Sequence, residues 1–324
     1  MSQPIKEFPF YTNFNEVTHD ILEMANQILR DKFLFLSSLT DTEQVILKVL
    51  DNDKTIGIHE GMTIQVDSTV CNRIDFSCDA PLVYEDITQD SALDDLLPAL
   101  KEARIGSYLG VPIILRNGDV FGTLCAVNSS ASVFDCTSVN LFQKVARLFS
   151  YYLDLEKLAF RDSLTGAYNR QFLHKYFDEH PTAYGALLFL DLDGFKNVND
   201  LFGHHAGDLV LKEVSLRLEE LMLHNDGFVV RLGGDEFVVY YHHLSDRHQI
   251  VNQAELILGR LSSWDSLRDK EKFQLSVSIG IIPYTEQMNI DLSTLLEHAD
   301  AALYQAKSSG KNKYQFYEGV GLEA

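Results

Sequence analysis

Apolar residues at Val17, Ile21, Met24 and Ile28 recur at helical spacing and predict an N-terminal amphipathic helix. Lys32–Leu39 and Gln44–Leu50 are short apolar runs separated by Thr40-Asp41-Thr42, which reads as a hairpin. A helix is expected over Ser68–Asp75, a strand over Pro81–Tyr84 and another helix over Ser91–Ala103. Two strands follow, Tyr108–Leu115 and Val120–Asn128, joined by Arg116-Asn117-Gly118-Asp119, whose Asn-Gly pair tolerates the positive φ of a tight turn. The first half therefore reads as an α+β unit built on an antiparallel sheet.

From Thr137 to Phe160 the period changes. Val139, Phe142, Ala146, Phe149, Leu153, Glu156 and Phe160 alternate spacings of three and four, a heptad seam broken at Glu156. Val145, Leu148, Tyr152, Leu155 and Ala159 form a second stripe beside it. One stripe can pack on the first domain while the other meets a partner helix, as in a two-helix stalk; a single core helix is the plainer reading. Beyond it, helices are expected at Asn169–His180, Asp208–His224, Ser245–Ser263 and Leu292–Ser308. Strands are expected at Gly185–Leu190, Phe228–Leu232, Glu236–Tyr241, Phe273–Ile282 and Tyr314–Tyr317. Interleaved helices and strands around one central hairpin are the plan of a ferredoxin-like sheet. The expected division is residues 1–136, a linking helix over 137–160, and residues 161–324.

Composition narrows the function classes. The 324 residues hold 27 Lys and Arg against 47 Asp and Glu, a formal charge of −20, and both halves are acidic. Binding to a nucleic-acid backbone is not expected. The opening MSQPIKEFPF lacks the basic stretch and apolar run of a leader, and no segment approaches the ~18 apolar residues of a membrane span. A cytoplasmic protein is expected. Cys71, Cys78, Cys125 and Cys136 match no zinc or redox spacing and read as small buried hydrophobes in a reducing compartment.

Two segments carry chemistry: Asp191-Leu192-Asp193-Gly194-Phe195-Lys196 and Arg231-Leu232-Gly233-Gly234-Asp235-Glu236-Phe237. Asp191 ends a buried apolar strand, and Asp235 and Glu236 follow two glycines in a tight turn. If the strands are neighbours, Asp191 and Asp235 converge, and carboxylates that close repel unless a divalent cation lies between them. Hard oxygen donors suit Mg²⁺ or Mn²⁺. Gly234, lacking a Cβ, lets a ligand approach the backbone. The chain contains neither a phosphate-binding P-loop nor a GxGxxG fingerprint.

The string Gly-Gly-Asp-Glu-Phe, taken with its surroundings, resembles the GGDEF family of diguanylate cyclases over residues 161–318. The likeness includes Asp162-Ser163-Leu164-Thr165-Gly166 with Asn169-Arg170, and Asp191-Leu192-Asp193 with Phe195-Lys196 and Asn199-Asp200. It continues through Phe202-Gly203-His204, Gly207-Asp208, Arg231, Ser278-Ile279-Gly280 and Ala299-Asp300-Ala302-Leu303-Tyr304-Ala306-Lys307. The resemblance implies condensation of two GTP molecules to cyclic di-GMP and two pyrophosphates by a homodimer. It assigns metal binding to Asp191, the Leu192 carbonyl and Asp235, with Asp235 as proton acceptor and Glu236 assisting. Asn199 and Asp208 match the guanine-recognising positions. His204 matches a substrate-contacting position, or else packs at a helix start. Lys196, Lys307 and Lys311 are the candidate phosphate cations, and the last two, four apart around a helix end, can share a face.

Two departures stand out. Lys311 replaces the family's usual Arg, keeping the charge but losing the bidentate fork, so weaker nucleotide binding is expected. The product-binding RxxD motif is replaced by His224-Asn225-Asp226-Gly227, so little product inhibition is expected there.

Residues 20–150 more loosely resemble a GAF sensory domain, on Ser68-Thr69-Val70-Cys71, Pro81-Leu82-Val83-Tyr84-Glu85-Asp86, Tyr108-Leu109-Gly110-Val111-Pro112-Ile113 and Phe121-Gly122-Thr123-Leu124-Cys125. The resemblance implies a regulatory domain that either holds an unknown small-molecule ligand or only dimerises. The alternative function is a catalytically inactive GTP- or effector-binding receptor.

Overall fold

The computed structural model describes residues 14–50, 55–180, 184–222, 225–262, 264, 275–285, 288 and 290–319. MSQPIKEFPF, His224, and the expected strand start at Phe273 lie outside the described residues. The chain separates into two compact units, Met1–Lys157 and Leu158–Ala324.

In the first unit, strands β1 (Phe33–Leu39), β2 (Glu43–Leu50), β3 (Thr63–Gln65), β4 (Leu82–Tyr84), β5 (Ser107–Ile114) and β6 (Val120–Asn128) form one sheet in the order β3-β2-β1-β6-β5-β4. Every pairing in it is antiparallel. β1 is buried along its whole length because both faces are covered. Leu34 and Leu36 point to a core shared with helices α1 (Phe14–Ile28) and α3 (Cys136–Phe160). Phe33 and Phe35 point the other way, to a core with Cys71, Tyr108, Cys125 and the segment holding helix α2 (Leu97–Glu102). The helix expected over Ser68–Asp75 is instead two short 3₁₀ turns, Val66–Ser68 and Val70–Arg73. Its apolar residues are too few to cover more than one turn of helix.

α3 buries Phe142, Val145, Ala146, Phe149, Ser150 and Leu153. The first predicted stripe packs inward as expected, but Val145 of the second is buried with it. The exposed apolar positions are Leu141, Leu148, Tyr151, Leu155 and Leu158, a heptad-spaced row displaced from the predicted stripe.

The second unit contains β7 (Tyr168–Asn169), β8 (Gly185–Asp193), β9 (Gly227–Gly233), β10 (Glu236–His242), β11 (Ser276–Tyr284) and β12 (Tyr314–Phe316), in the order β12-β11-β8-β10-β9-β7. The outer pairs β11–β12 and β7–β9 are parallel and the inner pairs antiparallel, which makes a mixed sheet. Alternate residues Leu188, Leu190 and Leu192 of β8 face helices α6 (His204–Met222) and α7 (Arg247–Ser262). The opposite face carries α4 (Arg170–Glu179) and α8 (Leu292–Ser308). A Cβ on Gly280 would lie 2.0 Å from the Ala299 carbonyl oxygen, so glycine there lets α8 lie directly on β11. α5 (Phe195–Phe202) was not expected as a helix.

Candidate active site

Asp191 lies near the end of β8, directly opposite Glu236, the first residue of β10. Opposed residues share a sheet face, so Asp191 and Glu236 stand on the side covered by α8. Just before Glu236 come Gly233 at φ 149° and Gly234 at φ 53°, values that side chains rarely adopt. No atom lies within 4 Å of where a Cβ would stand on either, so the turn borders open space.

Arg231 staples this turn. Its Nε and Nη2 donate to the Gly234 carbonyl at 3.1 and 2.9 Å, while Nη1 donates to Asp162 Oδ1 at 2.8 Å. Asp162 also accepts from the Thr165 amide and hydroxyl at 2.9 and 2.7 Å. Burial works to raise the Asp162 carboxyl, but Arg231 and Thr165 outweigh it and hold the group below its ordinary value. Sequence reading placed Arg231 and Asp162 only as family positions; their pairing across the fold had no local signal.

The carboxylates affect one another. Burial first, and then the neighbouring charge of Asp191, push the Asp235 carboxyl up. Glu236 is raised by burial and Asp191, with Arg170 acting against them. Lys307, in the last turn of α8, places Nζ 2.7 Å from Asp191 Oδ2. The chain thus supplies its own cation to one carboxylate and leaves Asp235 electrostatically undercompensated.

Among the described residues no cluster of three or more His, Cys, Asp or Glu side chains is placed to hold a metal ion. Asp191 and Asp235, close enough for their charges to interact, offer a sparse set of hard oxygens. Mg²⁺ suits such a set, since it keeps part of its shell for water and substrate phosphates. The residues fit a divalent ion that arrives with a polyphosphate.

Asp193 does something else. It is buried, accepts from Ser276 Oγ at 2.9 Å and Ser278 Oγ at 2.9 and 3.0 Å, and takes the Asn312 amide at 3.1 Å. Lys311 and Asn312 both have positive φ, 60° and 49°. The helix ends at Ser308, as expected, and Lys311 lies beyond it. The chain reverses there, with the Lys311 amide donating back to the Ala306 carbonyl at 3.2 Å.

The guanine candidates meet at the α5–α6 corner. A Cβ on Gly207 would fall 2.0 Å from Asn199 Oδ1, so this glycine makes room for the Asn199 amide next to Asp208. Asn199 and Asp208 are half-buried. Lys196 is exposed in the first turn of α5, and His204 is exposed at the first residue of α6, not packed there. Of the four cysteines only Cys71 and Cys125 are buried; Cys78 and Cys136 are exposed, contrary to expectation.

The family model described as diguanylate cyclase, GGDEF domain, matches residues 159–313, and that of the GAF domain matches residues 13–153. Diguanylate cyclase DgcP of Escherichia coli (strain K12) is 29% identical over 338 residues, covering 93% of this chain and 95% of DgcP. Diguanylate cyclase A of Treponema denticola is 27% identical, with 78% of this chain and 70% of the relative covered. The GGDEF domain of PA1120 (YfiN or TpbB) from Pseudomonas aeruginosa is 33% identical, covers 48% of this chain and 99% of that one, and has a TM-score of 0.42. Among the described residues no helix is long and apolar enough to cross a membrane. With the Gly-Gly turn, the facing acidic residues and both domain matches in agreement, the chain belongs to the GGDEF family of diguanylate cyclases and carries a GAF domain ahead of its catalytic one.

Proposed function

We infer that this enzyme condenses two GTP molecules into cyclic di-GMP and two pyrophosphates, acting as a cytoplasmic homodimer under control of its GAF domain. The observation that carries this reading is the register of Asp191 against Glu236, with Asp235 on the open glycine turn beside them. Asp191, Asp235 and the Leu192 carbonyl would hold Mg²⁺ or Mn²⁺, which when bound stabilises charge at the α-phosphate and acidifies the attacking 3′-hydroxyl.

The chain's residues divide the remaining work. Lys196, Lys307 and Lys311 neutralise phosphate oxygens. Asn199 and Asp208 recognise guanine, the carboxylate accepting from its N1–H and amino group, a pattern adenine lacks. His204 lies at the edge of the same corner. Asp235 takes the hydroxyl proton, with Glu236 beside it. Gly234 leaves room for the phosphates against the backbone.

One such site holds one nucleotide, so the product requires two sites face to face. The exposed row Leu141, Leu148, Tyr151, Leu155 and Leu158 supports a parallel pairing of linking helices. We take residues 1–136 as the sensory part, 137–160 as the signalling helix and 161–324 as the catalytic part. Incubation of the protein with GTP and Mg²⁺, with products identified by mass spectrometry, tests the reading. Cyclic di-GMP is expected; cyclic GMP or unchanged GTP would overturn it, the latter in favour of a receptor.

A further inference from the structure

The core between the sheet of the first unit and its 3₁₀ turns contains an unusual polar cluster. Cys71 Sγ is the focus: Gln44 Nε2 approaches it at 3.0 Å, Tyr108 Oη at 3.2 Å, Thr123 Oγ1 at 3.4 Å and Cys125 Sγ at 3.7 Å. All five residues are buried. Ser37 completes the cluster, bonded to Thr123 Oγ1 at 2.8 Å and to Gln44 Nε2 at 2.8 Å. A Cβ on Gly110 would strike the Tyr108 hydroxyl at 2.2 Å, so that glycine lets the tyrosine fold back along its own strand toward the sulfurs.

A neutral thiol is a weak acceptor and does not need four partners. Apolar side chains would fill this volume more cheaply than a nest of hydroxyls and amides. A thiolate does need such a nest. Burial acts to raise the Cys71 thiol, yet the groups around it bring it down to about 7. Cys125 is pushed well up, by burial and by Cys71 itself. Cys71 is favoured as the nucleophile because the Gln44 amide donates to its sulfur and not to that of Cys125.

We propose that Cys71 and Cys125 are an oxidisable dithiol that takes a small hydroperoxide as its substrate. The Cys71 thiolate attacks one peroxide oxygen; the S–O bond forms as the O–O bond breaks, and the departing alkoxide or hydroxide takes from water the proton that Cys71 gave up on ionising. Cys125 sulfur then attacks the Cys71 sulfenic acid. The S–S bond forms, the S–O bond breaks, and the leaving hydroxide takes the Cys125 proton as water. Two thiols are oxidised while one peroxide is reduced to an alcohol, or water, plus one water. The sulfurs need to close from 3.7 Å to about 2.05 Å for the bond to form. Access is through the Val70–Arg73 turn. Asn72 and Arg73 in it are exposed, and the turn belongs to no strand, so it can open locally while the sheet stays intact.

The test uses the full chain, reduced, freed of reductant and treated with equimolar hydrogen peroxide. Remaining thiols are alkylated after unfolding and the peptides mapped by mass spectrometry. The expected result is a Cys71–Cys125 linked peptide pair within one chain. In a Cys125→Ser variant, dimedone is expected to label Cys71 about tenfold more than the exposed Cys78 in the same molecule. Recovery of Cys71 and Cys125 fully alkylated while Cys78 or Cys136 is oxidised would overturn the proposal. So would a linkage between chains in place of the internal one. The wild-type peptide map decides the matter even if the variant fails to fold.

Discussion

At the scale of single residues, the site is a contest between like charges. The folded, metal-free enzyme binds a proton at Asp235 more tightly than the unfolded chain does, because its carboxyl is raised above the ordinary 3.8. This local contribution favours unfolding at neutral pH and fades as pH falls through the raised value. A divalent ion removes the penalty only while the carboxylates are ionised. The further rise in melting temperature on adding Mg²⁺ to protein holding a nonhydrolysable GTP analogue should therefore shrink as pH is lowered toward the carboxylate range; a pH-independent rise would place the ion elsewhere. Asp193 offers a second residue-level prediction. Asp193→Ala would leave the buried Ser278 hydroxyl and the Asn312 amide without their acceptor, at a cost of about 1–3 kcal/mol. Because Asn312 adjoins Lys311, the KM for GTP should rise more than kcat falls. Steady-state kinetics with Asp193→Asn, which keeps one acceptor oxygen, should show a partial return.

At the scale of elements, legibility followed periodicity. The end of β8 and the Gly-Gly turn were readable because an unbroken apolar run and two adjacent glycines are strong local signals. α5 was not. Its Lys196-Asn197-Val198-Asn199-Asp200 run favours turns, and the helix forms because Phe195 and Val198 are buried and glycines at φ 85° and 81° terminate it on both sides. The pairing of Lys307 with Asp191, or of Arg231 with Asp162, depends on tertiary approach, which no spacing encodes. The inner stripe of α3 was read correctly in outline, but Val145 turned inward with it and moved the outer row. Leu155 is 66% exposed in that row and lies off the buried face. Leu155→Asp should leave the fold of either unit intact, shift the protein to monomer in light scattering, and abolish cyclic di-GMP formation in dilute solution. A monomer that retained full activity would count against helix-mediated pairing.

At the scale of the whole molecule, the two family matches lie one after the other, and α3 carries the chain from the end of the first into the start of the second. Domain types were legible because each is carried by several motifs in order; the GAF ligand was not, since packing and turn residues identify a scaffold and not its contents. We propose that the stretch before β9 provides no site for product feedback. Asn225 there is held by Gln253 at 3.1 Å, and the Asp226 carbonyl accepts the His242 amide at 2.8 Å. Neither offers the guanidinium that an anionic dinucleotide requires. Initial rates should therefore be unchanged by added micromolar cyclic di-GMP. Strong inhibition that disappears on altering Asn225 and Asp226 would refute this.

The contact of Lys307 with Asp191 also bears on how the enzyme behaves when idle. A tethered ammonium already occupies part of the place a free ion would seek, so stray magnesium gains little by entering alone. A nucleotide brings both the ion and a new anionic berth for the lysine. On the metal assignment proposed above, loading is an exchange of companions, the Lys307 ammonium leaving Asp191 for phosphate oxygens as the ion takes the carboxylate.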